Sequence, residues 1–154
     1  MANIQTRNGK NMAKILKTVG PAGATIKNSG EWDLSVYITD EDEDEIQVEM
    51  AASKELYGDL FLDPFMRICL KKNQRGQITR AIPTFYQSDN LYLGRMEIRE
   101  KGEIFINGKL TETDPRALDE KLESWLHSID LIGYLTKPDK LCYHEAPPSD
   151  TPSL

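Results

Sequence analysis

The chain has little of what usually betrays a function. Its 154 residues include two cysteines and two histidines. Cys69 and Cys142 are far apart, which excludes a disulfide framework or a thiolate metal site and reads as two free thiols. No run approaches the ~20 apolar residues of a membrane-spanning helix, and Met1 to Lys17 contains no apolar core of a signal peptide, so a cytoplasmic, membrane-free protein is expected. Basic residues are outnumbered, 19 Lys+Arg against 25 Asp+Glu, and a net charge of -6 argues against direct binding to duplex nucleic acid by phosphate neutralisation. Gly-rich phosphate loops and a nucleophile elbow are absent as well.

What is present is enough apolar material, 39% of the residues, for one core. The expected organisation is an N-terminal arm over 1–8, one α+β domain over 9–135 and a disordered or loosely docked tail over 136–154, where prolines and small polar residues dominate. Met12, Ile15, Leu16 and Val19 share one helical face, and Gly20-Pro21 ends that helix. The period then changes to two. A short strand at 24–27 precedes alternating runs at 32–38, 46–50 and 66–70, followed by strands at 78–86, 91–99 and 103–106. Pro83 cannot donate to a ladder, so its strand should lie at an edge or be bulged. Asn107-Gly108 marks a tight turn. A closing helix begins at Asp114-Pro115, carries the stripe Leu118, Leu122, Trp125, Leu126 and Ile129, and stops at Gly133, so Trp125 should be buried. Residues 53–64 read as a loop, or a loop with one helical turn. This order predicts a curved antiparallel sheet of about six strands with both helices packed on one face.

Two acidic features are candidate sites. The run Asp40, Glu41, Asp42, Glu43, Asp44 and Glu45 accounts for the whole net charge. It begins like a calcium loop, but Glu45 stands where glycine must turn the chain and Ala51 where a bidentate Glu belongs. A solvated hairpin connection is the plain reading. The sharper one is a surface that imitates a phosphate backbone and attracts a basic, nucleic-acid-binding nuclease. The second feature is the motif loop Gly58-Asp59-Leu60-Phe61-Leu62-Asp63-Pro64, whose paired carboxylates Asp59 and Asp63 suit either a tight loop or a metal-dependent enzyme. Glu97-Ile98-Arg99 only approaches a nuclease Glu-x-Lys, His127 reads as a helix-surface residue, and His144 sits in the tail. No cofactor, metal or catalytic set is expected.

Read together, Gly58-Asp59-Leu60-Phe61-Leu62-Asp63-Pro64-Phe65-Met66, Ile82-Pro83-Thr84-Phe85-Tyr86-Gln87-Ser88-Asp89 and Leu122-Glu123-Ser124-Trp125-Leu126 resemble a family of small uncharacterised proteins of bacterial conjugative elements, plasmids and phages. The resemblance covers roughly residues 10–135, and the Gly-Asp-Leu motif is its specific part. The family's His-Tyr-Gly stretch is missing; Met50 to Tyr57 stands in its place. The resemblance implies a small protein carried by mobile DNA. The expected function is therefore a non-catalytic protein-binding accessory protein of a mobile element, in its sharpest form an anti-defence inhibitor of a Cas or restriction nuclease. The alternatives are a metal-dependent enzyme centred on Asp59 and Asp63, or an accessory factor for conjugation or replication.

Overall fold

The computed structural model describes residues 3–90 and 94–145. Residues 1 and 2 of the expected arm, the first three residues of the expected strand 91–99, and 146–154 of the expected tail lie outside the described residues. Helix α1 (Ile4–Val19) begins eight residues before the apolar stripe, because Asn3 accepts a hydrogen bond from the Thr6 amide at 2.9 Å and caps it. Most of the expected arm is thus helix. Its stripe buries Met12, Ile15 and Val19, as the spacing requires.

Among the described residues nine strands follow in one sheet, rather than about six. They are β1 (Gly23–Lys27), β2 (Asp33–Glu41), β3 (Glu45–Leu56), β4 (Asp59–Lys72), β5 (Ile78–Asn90), β6 (Gly94–Ile98), β7 (Glu103–Ile106), β8 (Lys109–Thr113) and β9 (Lys140–Tyr143). Every pairing is antiparallel, in the order β8-β7-β6-β5-β4-β3-β2-β1-β9. Short connections between consecutive strands allow nothing else. Strand β9 corrects the reading of 136–154 as one loose tail, since residues 140–143 extend the sheet beyond β1.

Residues 53–64 are not a loop. They are the far half of the β3–β4 hairpin, paired from Ser53↔Leu62 to Leu56↔Asp59, with Tyr57 and Gly58 as a two-residue turn at φ 55 and 83. Strand β5 is central, and Pro83 sits beside the bulge between Arg67 and Ile68, with β6 pairing β5 only from Tyr86 onward. Residues 88–90, between the expected strands 78–86 and 91–99, are ladder as well, since Ser88, Asp89 and Asn90 pair with Met96, Arg95 and Gly94.

Helix α2 (Ala117–Ile132) starts two residues after Pro115, with Arg116 rather than Asp114 at its N-cap; Asp114 accepts from the Arg116 amide, and Gly133 closes the helix in the left-handed conformation. It buries Leu118, Leu122, Leu126 and Ile129. Trp125 is half-buried, a correction to the expected burial: it flanks the core instead of filling it. Both helices join one core with the inward faces of the strands, including Leu34, Val36, Val48, Met50, Met66 and Ile68. Helix α1 lies so close to β5 that a Cβ on Gly9 would stand 2.9 Å from the Arg80 Cα. The helices hold each other through Arg7 and Glu123 at 3.0 Å and through Asn8 donating to the Asp119 carbonyl at 3.2 Å.

Burial beneath α1 raises the carboxyl of Asp119 above its ordinary range, against a weaker lowering by Gln5. A raised carboxyl means that ionisation opposes folding above its unfolded value and ceases to do so once pH falls below it. Asp119→Asn should therefore raise the melting temperature at pH 7, with the gain vanishing as pH drops to about 3.8, the unsalted carboxylate value. A thermal melt series across that window checks it; a variant less stable than wild type at pH 7 contradicts it.

Candidate functional site

Because both helices occupy one face, side chains at alternate positions on the other face form cross-strand rows. One row runs Tyr37, Glu49, Arg67 and Phe85 through successive pairings of β2, β3, β4 and β5. Arg67 donates to Glu49 at 3.0 Å, and its guanidinium lies 5.5 Å from the Phe65 ring centroid and 5.3 Å from that of Phe85. The two rings meet edge to face at 6.1 Å. The ion pair and stacking fix a long basic side chain flat on an aromatic surface, where it loses little further entropy on contact with a partner.

At the β9 end of this face, Thr25 Oγ1 lies 2.9 Å from both Ser35 Oγ and His144 Nε2, and His144 stacks on Tyr37 with centroids 4.4 Å apart. His144 is thus held in place, contrary to its reading as a residue in an unfixed tail. Among the described residues its Nδ1 is buried without a hydrogen-bond partner. The cluster latches β9 onto β1, a role reinforced by the His144 amide donating to the Gly23 carbonyl at 2.9 Å.

The acidic run caps the β2–β3 hairpin. Asp42 Oδ1 accepts from the amides of Asp44 and Glu45 at 2.8 and 2.9 Å, which holds its carboxyl below the usual range. Glu41 pairs with Lys72 at 3.0 Å and Glu45 with Lys71 at 2.5 Å. The Lys71 bond, followed by that from the Cys69 thiol, lowers the Glu45 carboxyl, while the same contact raises Lys71. Asp40, Asp42, Glu43 and Asp44 are exposed and have no salt bridge among the described residues. The structure thus divides six like charges into two neutralised by β4 and four presented to solvent on an ordered turn.

The motif loop is divided too. Gly58 and Asp59 belong to the exposed hairpin tip, whereas Asp63 accepts from Ser88 Oγ at 2.5 Å and Pro64 follows a cis peptide bond at the bulge between β3 and β4. Four residues along an extended strand separate the two carboxylates by about 13 Å, too far for one metal ion or a shared proton. Among the described residues no three His, Cys, Asp or Glu side chains gather as a metal site. No described helix is long and apolar enough to cross a membrane.

Sequence reasoning found the acidic hairpin and missed Arg67, Phe65, Phe85, Thr25, Ser35 and His144 as neighbours. The outward phase of the period-two strands was the available signal. Comparison with protein-family models, with curated proteins and with solved structures gave no match.

Proposed function

We propose that this chain is a non-catalytic protein-binding protein of a mobile genetic element, acting in anti-defence by occupying the nucleic-acid groove of a basic host nuclease. The observation that carries this reading is the β2–β3 turn, where Asp40, Asp42, Glu43 and Asp44 are exposed and ordered rather than scattered. Carboxylates on a preorganised turn meet a basic groove without first losing the entropy of a floppy loop. The aromatic and charged row on the helix-free face supplies contact area beside that turn. The mobile-element context comes from the sequence resemblance, and the partner class from charge complementarity.

The test replaces Asp42, Glu43 and Asp44 by Asn, Gln and Asn and measures inhibition of DNA cleavage by a panel of host Cas and restriction nucleases across a salt series. Asn at 42 keeps the acceptor that caps the turn, so the melting temperature should hold. Wild type should inhibit at least one nuclease, most strongly at low salt, and the variant should bind it about tenfold more weakly with a flatter salt dependence. Absence of inhibition at every salt concentration refutes anti-defence activity. Inhibition unchanged in the variant refutes the charge mimicry.

A further inference from the structure

The two helices share one face of the sheet and carry opposite charge. Helix α1 holds Arg7, Lys10, Lys14 and Lys17 and no carboxylate, whereas α2 sets Asp119, Glu120, Glu123 and Asp130 against Lys121 alone. The four cations of α1 are all exposed and follow at steps of three, four and three residues, which makes them one row along the helix. Glu120, Glu123, His127 and Asp130 repeat the same steps on α2. At one point the rows meet within the chain, where Arg7 bonds Glu123 at 3.0 Å. Elsewhere, among the described residues, Lys10, Lys14, Lys17 and Asp130 have no salt bridge.

The whole α2 row, with Lys14 of α1, lines a groove of about 1000 Å³ over an apolar floor. Its charged lining is five carboxylates, Glu112 and Asp114 joining the three of the row, against Lys14 and Lys121. A groove with that excess calls for cations, and α1 is the helix that carries them without carboxylates. Leu131, one turn beyond His127 on α2, is 72% exposed beside the row and offers apolar contact.

We propose that a second copy covers this face about a two-fold axis, the α1 row of each chain lying over the α2 row of the other. A two-fold contact needs a self-complementary surface, and a basic row beside an acidic row of equal spacing is one. Two sixteen-residue helices present a face about 24 Å long and about 20 Å wide, which places the contact among small, transient interfaces. Both chains carry a net charge of -6, but at 0.1 M salt the Debye length of about 10 Å screens that repulsion more than it screens ion pairs in contact. The contact uses neither the acidic β2–β3 turn nor the helix-free face, so it does not rest on the anti-defence reading.

The experiment is sedimentation velocity on the full chain between about 1 and 500 µM, at about 0.1 and about 1 M salt. Wild type should form a dimer and nothing larger, weakened about tenfold at the higher salt. Lys10→Glu with Lys17→Glu makes both rows acidic, and Glu120→Lys with Asp130→Lys makes both basic; all four side chains are exposed, so both variants should melt with wild type. Each alone should stay monomeric, whereas their equimolar mixture should form a heterodimer, because every row then faces its opposite. The variant with Asn, Gln and Asn at 42–44 should dimerise as wild type does. A wild type monomeric throughout overturns the proposal, as does growth beyond a dimer or a dimer that persists in either reversed variant. A mixture of the two folded variants that stays monomeric while wild type dimerises overturns the pairing of the rows. Loss of the dimer in the 42–44 variant would give the α1 cations to the acidic turn and overturn it too.

Discussion

Gly23→Ala is expected to destabilise the protein by about 3 kcal/mol or more, the largest loss at any single glycine of the central sheet. Gly23 opens β1 at φ 91, and a Cβ built there would stand 1.9 Å from the Val36 carbonyl oxygen. Two costs combine. The left-handed backbone is unfavourable for alanine by about 1 kcal/mol, and the clash is with backbone, which no rotamer change relieves. Relief requires β1 to withdraw from β2, and β9 would lose its footing, since the Gly23 carbonyl accepts the His144 amide. Gly30→Ala is the control: it shares a positive φ of 80, but its Cβ would meet nothing within 4 Å, so about 1 kcal/mol is expected. Urea unfolding of both variants checks the difference; equal losses would mean that β1 and β2 do not approach this closely.

Leu122→Ala should cost about 3–4 kcal/mol, through lost transfer energy and the cavity left in a close-packed site. Leu122 is completely buried on α2 and belongs to the cluster that joins α1, α2 and the sheet. Trp125 is the larger residue and shares the apolar stripe, yet it is half-buried and flanks that cluster. Trp125→Ala should therefore cost less than Leu122→Ala, reversing the order that side-chain size alone suggests. Equilibrium denaturation of the two variants decides this, and a greater loss at Trp125 would place the tryptophan in the core.

Elements whose signal is local were legible. The α1 stripe, the alternation of β2, β3 and β4, the Asn107-Gly108 turn and the glycine ending α2 follow from backbone geometry and solvent preference within a few residues. Strand β8 escaped because all five residues are exposed, which removes the hydrophobic alternation that announces a strand. Strand β9 escaped because four residues amid prolines gain strand structure only by pairing with β1, over one hundred positions earlier. The Tyr57-Gly58 turn was missed for a chemical reason: tyrosine is a poor residue at positive φ, so nothing marked a two-residue hairpin.

The sequence by itself determined the α+β composition, the antiparallel sense of consecutive strands and the concentration of negative charge between residues 40 and 45, since short connections and local composition leave no alternative. Tertiary structure alone decided which charges survive. Lys71 and Lys72 reach Glu45 and Glu41 only once β2, β3 and β4 lie side by side, leaving Asp40, Asp42, Glu43 and Asp44 to face solvent. It also placed Tyr37, Glu49, Arg67 and Phe85 in one row, because cross-strand neighbours are fixed by register rather than by separation along the chain.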